Sequence, residues 1–381
     1  MQPRLLFVTR NLPPLLGGME RLNQHMLAEL ARGFELEVCG PSVSRGLVPP
    51  EAAFRGAPLR PLPSFLAASA YNAAAAALRR KPRLVLAGSG LTAPLALAAA
   101  RLCGARAAAY LHGLDIAADH PAYQRLWVRR FRRLDLVLVN SRSTAALAEA
   151  AGIDAARIRV VHPGVEMPPW EPALGLEFRR RFELGTRPLL LSVGRLTQRK
   201  GLAEFIREAM PALLARCPEL FLAVIGDEAA NALKGGAAGQ RQRIAALVRE
   251  LGLERNVGLL GPQDDAVLRS AFFAARALVF PVLDLPGDTE GFGMVAVEAA
   301  AHGLATVAFA VGGVVDAVSD PASGTLLPPG DYAAMTRCLE GLLQGEETES
   351  ARLIRRDFAG QFEWRQFGEQ VRRHCLEAIG G

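Results

Sequence analysis

Short apolar runs recur along the chain, each closed by glycine, proline or a small polar residue. They occupy residues 5–8, 36–39, 84–87, 107–111, 136–139 and 160–161, and then 189–193, 221–225, 257–260, 277–280, 306–309 and 324–327. Runs of this length without strict alternation describe strands covered on both faces. Between them lie stretches of helical period, such as residues 20–32 and the alanine-rich 67–78, the latter read as a plain packing helix. Strand–helix alternation predicts parallel sheets. The two sets of runs are separated by residues 166–175, which carry Pro168, Pro169, Pro172 and Gly175, a linker composition. The pattern predicts two doubly wound α/β domains, 1–167 and 187–358, joined by a linker over 168–186. Residues 235–240 read as an exposed loop. Ligands in such folds sit beyond the carboxyl ends of strands. The chemistry is therefore expected just after each run, in a cleft between the two domains.

Composition narrows the classes. Half of the 381 residues are hydrophobic and 22% are charged, an ordinary globular mixture. No apolar run approaches the ~20 residues of a spanning helix. Pro3 and Arg4 lead straight into the first run, so no signal peptide is expected. The five cysteines are scattered with no CxxC pair, which argues against a disulfide framework or zinc site and fits a reducing cytosol. The net charge of +6 is uneven: residues 1–170 hold 21 Lys+Arg against 11 Asp+Glu, and the rest holds 23 against 27. A basic first half suits an anionic partner, either nucleic acid or a membrane surface.

Four constellations follow apolar runs. Glu290 and Glu298 bracket Gly291 and Gly293. A helix starting near Gly293 would expose amides and positive potential to a diphosphate, with a carboxylate on either side for hydroxyls. Gly194, Arg195, Arg199, Lys200 and Gly201 follow the run 189–193. Arg195 offers a planar fork and Lys200 a compact charge. Gly17-Gly18 after the first run permits close backbone approach, although the GxGxxG fingerprint of a dinucleotide site is missing. His112, with Asp115 in the same turn, follows the run 107–111 and could polarise a hydroxyl or phosphate.

Together these elements resemble family 4 of the retaining glycosyltransferases, which have the GT-B fold of two facing Rossmann-like domains. The resemblance rests on Gly17-Gly18-Met19-Glu20, His112-Gly113, Val139-Asn140-Ser141, His162-Pro163-Gly164, Gly194-Arg195 with Lys200-Gly201, Ile225-Gly226-Asp227, Leu260-Gly261, and Glu290 with Glu298. It implies that the first domain takes the acceptor and the second the nucleotide-sugar donor, and that the closing segment 359–381 crosses back onto the first domain. It gives Gly17 and Gly18 to the donor phosphate and His112 to the transferred sugar. Arg195 and Lys200, beside Gly194, fall to the diphosphate. Glu290 falls to sugar hydroxyls, with the amides of Phe292, Gly293, Met294 and Val295; Glu298 falls to the ribose, and Gly261 to the loop beside the base. The sequence departs from the family at Ala305, where proline is common, at Ala310, and in the longer stretch 283–289.

The implied reaction moves a hexosyl unit from GDP-mannose or a UDP-sugar to a glycan or lipid-linked acceptor, in surface polysaccharide or glycolipid synthesis. No cofactor or metal is expected, because no Asp-x-Asp sits at a run's end. The rival readings are a soluble small-molecule glycosyltransferase and a non-catalytic binder of sugar nucleotide or nucleic acid; with aromatics at 6%, the stacking platforms of RNA binders are not expected. Residues 125–133 place five arginines beside Trp127 and Phe131. In regular helical register the two aromatics share a face, which leaves two readings: the segment lies on an anionic membrane, giving a cytoplasmic enzyme peripheral to the inner face of the plasma membrane, or both aromatics pack into the first domain and the arginines are solvated.

Overall fold

The computed structural model describes residues 2–15, 17–228 and 239–380. The expected loop at 235–240 lies mostly outside these residues; Gly239 and Gln240 open a helix, Gln240–Glu250. The chain divides into two compact units. The first comprises Met1–Gly164, Pro286–Phe292 and Phe362–Gly381, and the second Val165–Leu285 and Gly293–Gln361.

The first unit contains β1 (Arg4–Val8), β2 (Glu35–Pro41), β3 (Ala53–Ala57), β4 (Leu84–Ala87), β5 (Arg106–Leu111), β6 (Leu136–Val139) and β7 (Ile158–Val160). They form one sheet in the order β3-β2-β1-β4-β5-β6-β7, parallel throughout. The central strands are apolar along their whole length because helices cover both faces. Leu6, Val8, Val85, Ala87, Val137 and Val139 pack with Ala73, Ala76, Ala77, Ala96, Ala99 and Ala100, so small helical side chains let the helices Leu62–Arg80 and Ala93–Cys103 approach the sheet closely. The sequence pattern missed β3. Its residues, with Arg55 and Gly56, carry no apolar run, and it is an edge strand pairing only with β2. An ion pair from Arg55 to Glu37 of β2 fastens it.

The closing helix, Trp364–Gly380, belongs to this unit. Trp364 stacks on His25 at 3.9 Å between ring centres. A Cβ at Gly164 would lie 2.3 Å from the Trp364 ring, so only glycine fits there.

The second unit contains β8 (Leu189–Val193), β9 (Phe221–Ile225), β10 (Val257–Gly261), β11 (Ala277–Phe280), β12 (Thr306–Phe309) and β13 (Gly324–Leu327), in the order β10-β9-β8-β11-β12-β13. All pairings are again parallel. Part of the expected linker is structured. Residues Leu174–Arg181 form a helix that packs on the helix Asp265–Ala274, with Phe178 buried and Gly175 against the Ala274 backbone.

The basic segment 125–133 takes the packed alternative. A π-helical turn spans Gln124–Val128 before a short helix, Arg129–Phe131. Phe131 is fully buried, and Trp127 packs half-buried against the same core, its indole N–H donating to the Leu91 carbonyl at 3.0 Å. The aromatic face is therefore core, not a lipid-facing surface, because apolar area is buried more cheaply inside the unit than left in water. Arg125, Arg129, Arg130, Arg132 and Arg133 remain exposed.

Candidate functional site

In each sheet the strand order reverses once, between β1 and β4 and between β8 and β11. A reversal sends the following connections to opposite faces and opens a crevice at the carboxyl ends. Gly17, Gly18, Arg195 and Lys200 follow β1 and β8 at these two places, whereas His112 follows β5 and Gly261 ends the edge strand β10.

In the first unit, Val8 of β1 aligns with Ala87 of β4, so the residues that follow lie side by side. Asn23 is buried and donates to the Thr9 hydroxyl at 3.1 Å and to the Asn11 carbonyl at 2.9 Å. A Cβ at Gly88 would strike both Thr9 and Asn23. The helix Gly18–Ala31 starts here, after Gly17. Glu20, 8% exposed, accepts from Asn11 at 2.8 Å. Its other carboxylate oxygen lies 2.5 Å from where a Cβ on Gly17 would sit. Glycine at position 17 thus makes room for a buried carboxylate.

His112 follows β5 and is 9% exposed. Its backbone N–H donates to Asp115 at 3.0 Å. Burial pulls its pKa down, opposed by Asp115, by Glu20 and by a ring hydrogen bond to the Gly88 backbone. The shift favours the neutral ring, and its buried Nε2 has no hydrogen-bond partner among the described residues. Such an orphaned atom is costly unless a ligand meets it.

The loop Pro286–Phe292 belongs to the same unit. A Cβ on Gly113 would lie 2.8 Å from Thr289 and 3.4 Å from the Gly291 Cα. The structure therefore brings Glu290, half-buried, to the loop that begins with His112. Phe292 is buried and stacks on His162 at 5.2 Å, so its side chain is structural and only its backbone can meet a ligand.

In the second unit a pocket opens at the ends of β8 and β11, lined by Gly194, Arg195, Thr197, Lys200, Phe280 and Pro281. Arg195 is exposed and Lys200 half-buried. The Lys200 ammonium stands 4.6 Å from the centre of the Phe280 ring. Gly201 has φ 65°, and a Cβ there would lie 1.9 Å from the Pro281 carbonyl. That glycine presses the turn Gln198–Lys200 against the end of β11. Gly293, φ 95°, caps the helix Met294–Ala301 and sits 3.0 Å, measured from its hypothetical Cβ, from the same Phe280 ring. In that helix Met294 and Glu298 are half-buried on one face, whereas Val295 is core. Gly261, φ 70°, closes β10 at a bulge, and its carbonyl accepts from Gly226 at 2.9 Å.

Sequence reasoning named Glu20 and Arg199 without giving either a role, and it passed over Phe280. Arg199 is only 5% exposed, while its neighbour Lys200 and nearby Arg195 keep access to the pocket. Phe280 was read only as the end of a strand. The pairing of its ring with Lys200 and Gly293 left no signal in spacing. Among the described residues, no helix is long and apolar enough to cross a membrane.

Comparison with known proteins fits this geometry. Residues 16–167 match the family model for glycosyltransferase family 4, and residues 176–356 that for glycosyl transferases group 1. The chain is 29% identical to a GDP-mannose-dependent alpha-(1-6)-phosphatidylinositol monomannoside mannosyltransferase of Mycolicibacterium smegmatis, over 96% of this chain and 97% of that one. It is 32% identical to a D-inositol 3-phosphate glycosyltransferase of Mycobacterium ulcerans, over 65% of this chain and 51% of the relative; the match thus spans about half the length of that enzyme. In fold it is similar to Anabaena Alr3699/HepE, solved in complex with UDP, with a TM-score of 0.78 at 19% identity, covering 98% of this chain and all of that one. The GT-B architecture is thereby established.

Proposed function

We propose, for a chain that belongs to glycosyltransferase family 4, that it transfers a hexosyl unit from a nucleoside-diphosphate sugar to a glycan or lipid-linked acceptor, with retention at the anomeric carbon. The observation that carries this reading is the shared Phe280 ring. The Lys200 ammonium and the glycine-capped start of the helix Met294–Ala301 both rest on it. A cation and a helix N-terminus held to one rigid support form a positive focus suited to a diphosphate. Arg195 adds a fork at the pocket's open edge.

The chemistry follows from charge. The bond between the anomeric carbon and the phosphate oxygen breaks, and negative charge grows on the leaving diphosphate. Lys200, Arg195 and the helix amides stabilise it without reorganising. The acceptor oxygen bonds the anomeric carbon, and its proton passes to the departing phosphate on the same face. His112, neutral with an orphaned Nε2, hydrogen-bonds the transferred sugar, and Glu290 accepts from its hydroxyls. Glu298 takes the ribose, and Gly261 opens the loop beside the base. Two side-chain cations serve the diphosphate, so the transfer is proposed to need no metal.

The relatives supply the donors to try: GDP-mannose, named for the mannosyltransferase, and UDP-sugars, suggested by the nucleotide held by the Anabaena protein. We place the enzyme on the cytoplasmic side, peripheral to an anionic membrane. Its contact there is purely electrostatic, through Arg125, Arg129, Arg130, Arg132 and Arg133, because the neighbouring aromatics are in the core. Release of UDP or GDP from each donor, with and without a lipid-linked acceptor, tests the assignment. Release from none, by folded protein that still binds the nucleotides, would leave a binder instead of an enzyme.

A further inference from the structure

Val139-Asn140-Ser141 and His162-Pro163-Gly164 end neighbouring strands, β6 and β7, and the reaction outlined above uses neither. In the structure they converge on one object. The Asn140 side chain, 5% exposed, lies directly beneath Gly291: a Cβ there would come within 2.6 Å of Asn140 Nδ2. A relay of hydroxyls sets the amide's direction. Ser141 Oγ donates to Thr144 Oγ1 at 3.1 Å, and Thr144 Oγ1 donates to Asn140 Oδ1 at 2.7 Å. With Oδ1 committed as an acceptor, the amino edge of the amide is turned to the loop. His162 approaches the Asn140 carbonyl through Nδ1 at 3.2 Å. Its ring then lies nearly parallel to Phe292, 22° apart at 5.2 Å, and Phe362 closes on both rings at 5.7 Å.

We propose that Asn140 and His162 form a seat that fixes the loop 286–292 and so positions Glu290 for the donor sugar. Glu290 lies one residue before Gly291 and two before Phe292, immediately ahead of the two points at which the loop is pinned. Both pins are specific in shape. One tolerates only glycine above an oriented amide, and the other is an offset ring stack, a geometry that aromatic pairs favour. A further loop contact, Thr289 and Gly291 against Gly113, joins the same loop to the turn that follows His112. Two groups proposed to meet the sugar, His112 and Glu290, are thereby held in one frame. Neither Asn140 nor His162 need touch the substrate; they are positioning residues, and the inference rests on the reading of Glu290 as a donor-sugar contact.

The test uses the full chain with Asn140→Asp, which keeps the amide's shape but replaces its amino edge with an oxygen, and with Gly291→Ala, which attacks the same contact from the loop. Glu290→Gln is measured in parallel. Amide hydrogen exchange over 286–292 reports the seat, and calorimetry with UDP and GDP together with donor turnover reports the consequence. Exchange in the loop is expected to quicken by about tenfold or more and kcat to fall roughly 10- to 100-fold, with nucleoside-diphosphate affinity held within about twofold. Unchanged loop exchange in both folded variants overturns the seat. Quickened exchange with full turnover overturns the positioning role; a fully active Glu290→Gln protein then traces the failure to the reading of Glu290, and an inactive one traces it to the seat itself.

Discussion

Lys200 holds its ammonium nitrogen 4.6 Å from the centre of the Phe280 ring, at the carboxyl ends of two adjacent strands. The ring's negative face orients the cation. A charge so placed loses little freedom when an anion binds. The contact depends on Gly201, whose left-handed backbone and missing Cβ bring the lysine turn against Pro281.

Lys200→Ala is expected to weaken UDP or GDP binding by about 2–5 kcal/mol, the usual cost of removing one partner of a buried charged contact. Phe280→Leu should cost about 0.5–2 kcal/mol, because the cation stays in place but loses the ring that orients it, and the helix start loses part of its support. Titration calorimetry decides, and equal affinity in Lys200→Ala and the parent protein would remove the diphosphate from this pocket.

Glu290→Ala should lower transfer by about a hundredfold or more while leaving the fold intact, since a preorganised group facing the reacting sugar acts mainly in the transition state. Thermal melting checks the fold and product formation checks the chemistry. Undiminished turnover by a folded variant would falsify the assignment.

Transfer is expected to survive EDTA, with Arg195, Lys200 and the helix amides facing the diphosphate. Assays with and without chelator, followed by magnesium or manganese, test this. Activity lost on chelation and restored by either metal would show that side-chain cations do not suffice.

Stability should fall in mild acid through His302. Burial lowers its pKa to about 4, against a hydrogen bond to the Glu298 carbonyl and with help from Arg269, Arg356 and Arg352. The ring packs on Phe272 and Phe273. Because the folded pKa lies below the unfolded one, the unfolded chain binds the extra proton first. The contribution is complete above about pH 6.5 and drains away as pH falls toward 4, on the order of 3 kcal/mol at most. Denaturant midpoints across this window should show a shallower pH slope in His302→Gln; an identical slope would mean that His302 does not carry it.

Binding to anionic vesicles at low salt should drop when Arg129, Arg130, Arg132 and Arg133 are changed to Ser, each cation near such a surface contributing about 1 kcal/mol. Trp127→Phe should leave binding unchanged, its ring being packed against the core. Co-sedimentation that is absent in the parent protein, or the same in the fourfold variant, would remove this segment from any membrane role.

Much of the scaffold was legible in the residues. Leu84–Ala87, Leu136–Val139, Leu189–Val193 and Ala277–Phe280 are strands with the expected bounds, because a parallel strand buried on both faces has to be apolar throughout. Ser141 caps its helix through the Thr144 N–H. Glycine before the helix Met294–Ala301 was equally readable, as a helix start has few ways to be written. β3 escaped because an edge strand needs no apolar run.

Direction and partnership were decided elsewhere. A regular helical wheel places Trp127 and Phe131 together, but it cannot say that their shared face is the core, and a π-helical turn alters the register there. Charge patterning gathers Arg195, Arg199 and Lys200 without showing that Arg199 is buried while Arg195 is exposed. Asn140 and Gly291 lie 151 positions apart, and Lys200 and Phe280 lie 80 apart; no local periodicity relates such pairs. The sequence sets backbone preference and the burial of each short run, because those depend on neighbours along the chain. Which side chain meets which across the carboxyl ends of the sheets depends on the order of the strands, and only the tertiary structure fixes that order.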